Sequence, residues 1–321
     1  MVVLGAGGIG GTIGARLHLA GYDVALIARG AHLEAVRERG LTFVTPEERV
    51  VLEIPAYARP ADLTWRADDV VILAAKSQDT EAAARDLAVA AGQVPVVAAQ
   101  NGVANERTLA RWFEGVHGMC VMMPTAHLEP GVVQAHSVAA TGILDLGAFP
   151  GGTDGVDDEL ATALRASRFE CEARPDIMRW KYRKLLNNLG NAVQALCGAQ
   201  LAGDDVQRCL ELLGSEADAA FAAAGIDPVT EEEDDARRAD HLQLRAIGDS
   251  PRAGGSTWQS LTRGVGVETD FLNGEIALLG RLHGVPTPAN ARIQALMARA
   301  AAAGAPPGSM TAADLLASLS A

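Results

Sequence analysis

Three glycines near the start of the chain have the spacing of a dinucleotide-binding loop. Gly5, Gly7 and Gly10 fit the pattern G-x-G-x-x-G, after the apolar residues 2–4 and before a helical pattern over 12–20. Such glycines permit a tight turn, close approach of the backbone to a pyrophosphate, and close packing of helix on strand. A chain with 34 glycines also produces this spacing by chance, so the interpretation depends on the flanking strand and helix. The residues expected to contact the dinucleotide are Gly5, Ala6, Gly7, Gly8, Ile9 and Gly10.

A cation lies where the second predicted strand ends. Residues 23–28 predict a buried strand, and Arg29 follows it directly. NAD-selective sites carry an Asp or Glu at about this place, which holds the ribose 2′-hydroxyl. A guanidinium would instead pair with a 2′-phosphate through charge-assisted hydrogen bonds. The sequence therefore favours NADP(H), and the alternative is a solvated arginine at a strand end.

Two further polar residues follow the next predicted strands. Lys76 comes after the strand pattern of 69–74, and Asn101 comes after that of 94–99. Open α/β sheets bind ligands outside the carboxyl ends of their parallel strands. A solvated lysine and a turn asparagine before glycine would explain each residue alone. Their equivalent positions on successive strands favour a shared role near the nicotinamide end of the cofactor.

A polar stripe runs through the apolar segment 177–196. Lys181, Lys184, Asn188 and Asn191 are separated by three, four and three residues, which places them on one face of a helix. Such stripes are often only solvated. Asparagine is a poor helix former, however, and these asparagines lie among leucines, so the stripe favours a functional face.

The elements that must position these residues predict two domains. Strand and helix patterns alternate up to residue 173, which predicts a Rossmann-type α/β domain over 1–173. From 174 to 321 the patterns are helical, which predicts an all-α domain.

Local patterns add finer predictions. Residues 41–44 and 50–54 predict a hairpin, and 132–136 and 142–146 predict closing antiparallel strands around the turn at 129–131. Residues 177–196 predict a helical run, and 230–247 predict a helix.

Bulk properties exclude several partners. The net charge of −13 and the pI near 5.0 argue against nucleic acid and anionic membranes, which need a basic face. Four scattered cysteines form no metal-binding pattern, so we expect no metal site. No basic leader and no long apolar run are present in the sequence, which predicts a cytoplasmic protein. The short first strand leaves open whether native residues precede Met1, and the chain is compatible with a monomer or a homodimer.

In their order and spacing, these motifs resemble the ketopantoate reductase (2-dehydropantoate 2-reductase) family, a 6-phosphogluconate dehydrogenase-like group. The resemblance covers nearly the whole chain. Its motifs are residues 5–10, 29–30, Lys76, 100–102, 184–188, Ser256, 268–274 and 284–290. It implies a Rossmann domain, a helical domain and an active site in the cleft between them. There NADPH would reduce C2 of a small 2-oxo acid, with 2-dehydropantoate to (R)-pantoate as the leading reaction.

The resemblance implies roles for residues of the second half. Lys184 would donate the proton, which agrees with the ability of a partly buried ammonium to stabilise and protonate an alkoxide. Asn188 and Asn191 would hydrogen-bond substrate oxygens, and Ser256 would bind the carboxylate. Glu268 would orient the lysine, the substrate or the cofactor ribose.

The resemblance implies cofactor contacts in the first half. Asn101 would reach the nicotinamide ribose and the substrate, and Lys76 would lie near the cofactor. Ala126 would let the cofactor approach by backbone contact.

Several positions depart from the family pattern. Ser260 stands where an Asp is usual, Val267 where a Thr is usual, and Ala192 where the second asparagine is usual, with Asn191 as the nearest substitute. Lys181 is a rival for the catalytic lysine. The alternatives are therefore an enzyme for another 2-oxo acid or an imine, as in opine-forming dehydrogenases, and a non-catalytic NADP(H)-binding redox sensor.

Overall fold

Two compact units make up the chain. In the computed structural model, which describes residues 1–198, 201–239, 241–248 and 254–320, the first unit comprises Met1–Lys181 and Thr230–Arg252. The second comprises Tyr182–Val229 and Ala253–Ala321. The first unit thus extends beyond the sequence-predicted division at residue 173 and takes in a later segment of the chain.

The first unit contains two sheets. Its strands are β1 (Val2–Leu4), β2 (Ala25–Ile27), β3 (Leu41–Val44), β4 (Arg49–Leu52), β5 (Ala56–Tyr57), β6 (Val71–Leu73), β7 (Val96–Ala98), β8 (Val116–Met122), β9 (Thr125–Ala126), β10 (Val132–Ala135) and β11 (Ile143–Ala148). The main sheet has the order β11–β8–β7–β6–β1–β2–β5, parallel apart from the antiparallel pair β11 and β8. A smaller sheet has the order β4–β3–β10–β9, in which β3 and β4 confirm the predicted hairpin.

Helices separate and follow these strands. They are α1 (Gly8–Leu19), α2 (Gly30–Arg39), α3 (Thr80–Ala91), α4 (Asn105–Leu109), α5 (Gly155–Ala166), α6 (Ile177–Asn188), α7 (Gly190–Cys197), α8 (Asp204–Ala224), α9 (Glu231–Arg238), α10 (Ser256–Thr262), α11 (Asn273–His283), α12 (Pro288–Ala302) and α13 (Ala312–Leu319). The predicted α/β part followed by a helical part is confirmed. Among the described residues, no helix combines the length and the apolar character that crossing a membrane requires.

The central strands are buried on both faces. Successive residues of a strand point to opposite sides of the sheet. Val3 and Ile72 belong to one apolar cluster, and their neighbours Val2 and Val71 belong to another. Burial on both faces explains why these strands are uninterrupted apolar runs in the sequence. Polar functional side chains are therefore expected at the strand ends.

The closing strands predicted at 132–136 and 142–146 both form, each antiparallel to a different neighbour, β9 and β8. The first segment becomes β10, which pairs with β3 and β9, while the second becomes β11 beside β8. The backbone between β10 and β11 pairs with residues 241–243. Val138 N–H donates to Gln243 O at 3.0 Å, and Ala140 N–H donates to His241 O at 3.1 Å.

Because of the same pairing, the helix predicted over 230–247 is shorter in the structure. Helix α9 ends at Arg238, because the chain from His241 runs beside residues 136–140 instead. Residue 240 lies outside the described residues. Arg237 holds α9 on the main sheet, where its Nη2 and Nε donate to the fully buried Asp145 carboxylate at 2.8 and 2.9 Å. A buried carboxylate that binds two nitrogens of one guanidinium explains why this segment belongs to the first unit.

The second unit is helical. The helical run predicted over 177–196 is present as α6 and α7, which are separated only at Leu189, a residue that keeps helical backbone angles. The buried Asn273 side chain contacts this point, since its Nδ2 donates to Leu189 O at 3.4 Å and to Asn290 Oδ1 at 3.1 Å.

Candidate active site

The glycine-rich loop leaves no room for side chains at two of its positions. Gly5 has φ +104°, and a methyl group on it would lie 2.5 Å from Ala75 N. A methyl group on Gly10 would lie 2.1 Å from the carbonyl oxygen of Gly5. Both distances are far below van der Waals contact, so the turn between β1 and α1 requires glycine at these places.

The loop suits a phosphate-bearing ligand. Gly7 is the N-cap of α1 and brings no side chain to the helix N-terminus, where the first backbone N–H groups have no intrahelical acceptor. Methyl groups on Gly7 and Gly8 would approach residues from the turn around β9, at 3.9 Å from His127 Cδ2 and 3.7 Å from the carbonyl carbon of Ala126. The structure thus places Ala126 beside the loop. This glycine-lined cradle fits a pyrophosphate.

Two histidines that the sequence analysis missed support the loop. Gly131 N–H donates to His32 Nδ1 at 2.9 Å, so His32 Nε2 carries the proton and donates to Ala6 O at 2.8 Å. The ring of His127 packs edge-on against His32, with centroids 4.4 Å apart. A lone histidine on a helix has no sequence signature for such a role.

A buried polar network fixes the carboxyl ends of β6 and β7. Gln100 Nε2 donates to Ala75 O at 2.7 Å and to Thr80 Oγ1 at 2.9 Å, and Thr80 Oγ1 donates to Asn105 Oδ1 at 2.9 Å. Asn105 Nδ2 donates in turn to Asn101 O at 3.0 Å. Because these side chains are buried and mutually bonded, the loops that carry Lys76 and Asn101 are held together as predicted for neighbouring parallel strands.

Lys181 is buried in an ion pair. Its side chain is 2% exposed, and its Nζ lies 2.5 Å from Oε1 of the fully buried Glu106. Nζ also donates to the carbonyl oxygens of Gln100 at 3.0 Å and Met119 at 3.2 Å. A lysine enclosed by a carboxylate and carbonyls has no face for a substrate. The predicted stripe from Lys181 to Asn191 is therefore not uniformly accessible, since Lys181 is 2% exposed and Lys184 is half-buried.

The remaining lysine of the stripe lies in the second unit. Lys184 is half-buried, and Asn188, one turn further along α6, is buried. Asn191 lies on α7, close to the start of α10. A methyl group on Gly255 would lie 3.5 Å from Asn191 Oδ1, which brings Asn191 near the backbone that precedes Ser256.

The other two predicted residues of the second unit lie at the starts of short helices. Ser256 is the first residue of α10. A hydrogen bond connects the start of α10 to α7, since Gly255 N–H donates to Gln194 Oε1 at 2.6 Å. Ser260 stands where the family pattern has an Asp. Its hydroxyl donates to Ser256 O at 2.9 Å. Glu268 is half-buried and is the N-cap of a 3-10 helix over Thr269–Phe271.

Comparisons with known proteins decide the family. The model described as Ketopantoate reductase PanE/ApbA matches residues 1–151, and the model of its C-terminal part matches 176–301. The 2-dehydropantoate 2-reductase of Mesorhizobium japonicum is 30% identical, over 94% of this chain and 97% of that protein. The chain belongs to the ketopantoate reductase family.

Other relatives agree with this assignment. The 2-dehydropantoate 2-reductase of Archaeoglobus fulgidus is 29% identical, over 90% of this chain and 93% of that protein. The crystal structure of a PanE/ApbA family ketopantoate reductase from Ralstonia eutropha JMP134 superposes with a TM-score of 0.79 at 29% identity, over 95% and 99% of the two chains. As a member of this family, the protein is an oxidoreductase that uses a pyridine nucleotide to reduce an oxo acid.

The ketopantoate reductase fold extends to a more distant enzyme. D-mandelate dehydrogenase, solved with NADH and anilino(oxo)acetate, superposes with a TM-score of 0.81 at 21% identity, over 95% of this chain and 99% of that chain. At this identity the likeness establishes the shared fold alone.

The structure also places Arg29, the predicted cofactor-selecting residue. Its side chain is 82% exposed at the N-cap of α2, and Nη2 lies 2.5 Å from Asp79 Oδ2. Asp79 follows β6 in the loop before α3. Sequence spacing could not reveal this partner, because the two residues meet only through the order of the strands.

A histidine–carboxylate group lies away from the glycine-rich loop, at the start of α5. Ligand atoms of His117, Asp154 and Asp157 come within 4.8 Å of one another, a juxtaposition not foreseen from the sequence. His117 Nδ1 donates to the buried Asp157 carboxylate at 2.8 Å, and Asp154 Oδ1 accepts from Val156 N–H at 2.9 Å. The Asp154 carboxylate thus caps the N-terminus of α5, and the Asp157 carboxylate binds His117 from β8.

Proposed function

We propose that this protein is an NADPH-dependent reductase of a small 2-oxo acid, with the reduction of 2-dehydropantoate to (R)-pantoate as its leading reaction. The observation that carries the proposal is the contrast between two lysines of α6. Lys181 is enclosed by Glu106 and backbone carbonyls, whereas Lys184, one turn further along, is half-buried. Partial burial favours an ammonium that stabilises developing negative charge and gives up a proton.

Each residue of the second unit has a role in this proposal. Bound NADPH supplies the hydride that reduces C2. Lys184 stabilises the negative charge that develops on the C2 oxygen and then protonates it. Asn188 and Asn191 donate hydrogen bonds to substrate oxygens, Ser256 binds the carboxylate, and Glu268 orients the lysine, the substrate or the cofactor ribose.

The first unit binds the cofactor in this proposal. The glycine-rich loop holds the pyrophosphate, and the guanidinium of Arg29 binds the 2′-phosphate. Asn101 reaches the nicotinamide ribose and the substrate. Lys76 lies near the cofactor, and Ala126 contacts it through its backbone.

A second candidate substrate is favoured by the departures from the family pattern. Ser260 bonds to a backbone carbonyl within its own helix, and Ala192 is buried. Ser260 has a hydroxyl where the family pattern has a carboxylate, and Ala192 has no polar group where the pattern has an amide. A smaller or less polar 2-oxo acid, or an imine formed from one, is therefore the alternative substrate.

The proposed reaction predicts a substrate ranking. Among 2-dehydropantoate, pyruvate, 2-oxoisovalerate and benzoylformate, each tested with and without an amine, we expect 2-dehydropantoate to have the highest kcat/KM. The measurement is the oxidation of NADPH followed by absorbance, with the product identified by mass spectrometry. A higher value for an oxo acid with an amine would establish the imine alternative. Tight NADPH binding without turnover of any compound would indicate a redox sensor.

Arg29→Ala is expected to weaken NADPH binding about 10- to 100-fold, the loss that follows when a charge-assisted hydrogen bond is removed. NADH lacks the 2′-phosphate, so its affinity should change little. Fluorescence titration measures both dissociation constants. Arg66→Ala is the matched control, because Arg66 is a half-exposed arginine paired with Asp23 at 2.8 Å. Equal losses for the two cofactors would contradict a 2′-phosphate contact.

A further inference from the structure

An ion pair joins the loops on either side of the glycine-rich loop. Strands β2 and β6 are the two neighbours of β1 in the main sheet. Arg29 follows β2 and Asp79 follows β6, and Arg29 Nη2 meets Asp79 Oδ2 at 2.5 Å. The pair therefore spans the carboxyl end of β1, where the glycine-rich loop begins.

We infer that Asp79 is a specificity-determining residue that limits the preference for NADPH over NADH. This inference rests on the proposed binding of the 2′-phosphate by Arg29. A carboxylate on the guanidinium already occupies one of its nitrogens and neutralises part of its charge. A 2′-phosphate that binds Arg29 must then share the guanidinium with an anion, and like charges at such distances repel each other.

Neither folding stability nor helix capping explains the Arg29–Asp79 ion pair. The Arg29 and Asp79 side chains are 82% and 33% exposed, and pairs with such exposure contribute little to folding stability. Within the described residues, Asp79 precedes α3 without a side-chain capping bond to it. The carboxylate is therefore not required to start the helix, and its effect is directed at Arg29.

The Asp79 carboxylate interacts differently with NADH and NADPH. The ribose of NADH has a 2′-hydroxyl, which is neutral and can donate a hydrogen bond to a carboxylate. Asp79 thus repels the group that distinguishes NADPH and accepts the group that distinguishes NADH. An asparagine of the same size would remove the repulsion and leave the guanidinium of Arg29 available to the phosphate.

The test compares Asp79→Asn with a matched control, Asp23→Asn. Asp23 Oδ2 also accepts from an arginine, Arg66, at 2.8 Å, but this pair lies near the amino ends of β2 and β6. Both variants remove one negative charge and one arginine pair. Dissociation constants are measured for NADPH, NADH, 2′,5′-ADP and 5′-AMP at constant ionic strength, so that binding is read without turnover.

We expect Asp79→Asn to tighten 2′,5′-ADP and NADPH by about tenfold, while 5′-AMP and NADH bind no tighter. Asp23→Asn should leave the ratio of the NADPH and NADH dissociation constants within about twofold of wild type, because exposed charges beyond about 10 Å are screened. An unchanged ratio in Asp79→Asn, or the same change in both variants, would overturn the inference.

Arg29→Ala separates this outcome from failure of the proposed function. If Arg29→Ala weakens NADPH but Asp79→Asn changes nothing, the role of Asp79 is wrong and the 2′-phosphate assignment stands. If neither variant changes the affinity for 2′,5′-ADP, the assignment of the 2′-phosphate to Arg29 is wrong as well.

Discussion

Replacing Lys184 by alanine is expected to lower kcat with a 2-oxo acid by about 10²- to 10⁴-fold, the usual contribution of a positioned general acid. Its ammonium is the half-buried cation of α6 in our proposal, and alanine removes both the proton and the charge that stabilises the developing oxyanion. Alanine is also the best helix former, so the helix should persist. Steady-state kinetics and thermal unfolding of the same preparation measure both effects.

Two further variants make the Lys184 experiment specific. Lys184→Arg keeps the positive charge but holds its proton at all accessible pH values, so kcat should remain low. Arg179→Ala removes another cation of α6, one paired with Asp176 at 3.4 Å, and should retain turnover. Turnover by Lys184→Ala at the wild-type rate, or an equal loss in Arg179→Ala, would show that Lys184 is not the proton donor.

The elements proposed to bind the cofactor were predictable from local sequence. The glycine spacing and the buried runs before it depend on neighbours in the chain, and parallel strands bring their carboxyl ends to one edge of the sheet. Lys76 and Asn101 were therefore located correctly on neighbouring loops. The structure adds what holds these loops, a network through Gln100 and Asn105 that no local pattern signals.

The misjudged end of helix α9 depends on a tertiary partner. The helix ends early because the chain from His241 pairs with residues 136–140. That partner is remote in sequence, so periodicity within a window of residues cannot detect it.

The burial of Lys181 was not predictable for a different reason. Charged residues are almost never fully buried unless they are paired, so a lysine in a polar stripe is assigned to the surface or to a site by default. Its partner Glu106 lies in α4, within a segment that carries no signal for an ion pair. The sequence therefore offered two lysines for one role, and in the structure the two differ in burial.

Lys181→Met should cost about 3–5 kcal/mol of unfolding free energy, the usual result of leaving one member of a buried ion pair uncompensated. The variant leaves the fully buried Glu106 carboxylate without its cation, and it removes the donor to the carbonyls of Gln100 and Met119. Urea unfolding followed by circular dichroism measures the loss. Below its unfolding temperature the variant should keep kcat within about tenfold of wild type, since loss of a general acid lowers kcat further.

The double variant Lys181→Met/Glu106→Leu distinguishes the buried charge from the lost hydrogen bonds. Replacing both members by apolar residues removes the stranded carboxylate, so part of the lost stability should return, by about 1–4 kcal/mol relative to Lys181→Met. Recovery stays incomplete because the carbonyls of Gln100 and Met119 still lack their donor. A single variant as stable as wild type but without turnover would contradict the structural role and would make Lys181 the proton donor. Loss of stability with retained turnover would leave Lys184 as the lysine of α6 that acts on the substrate.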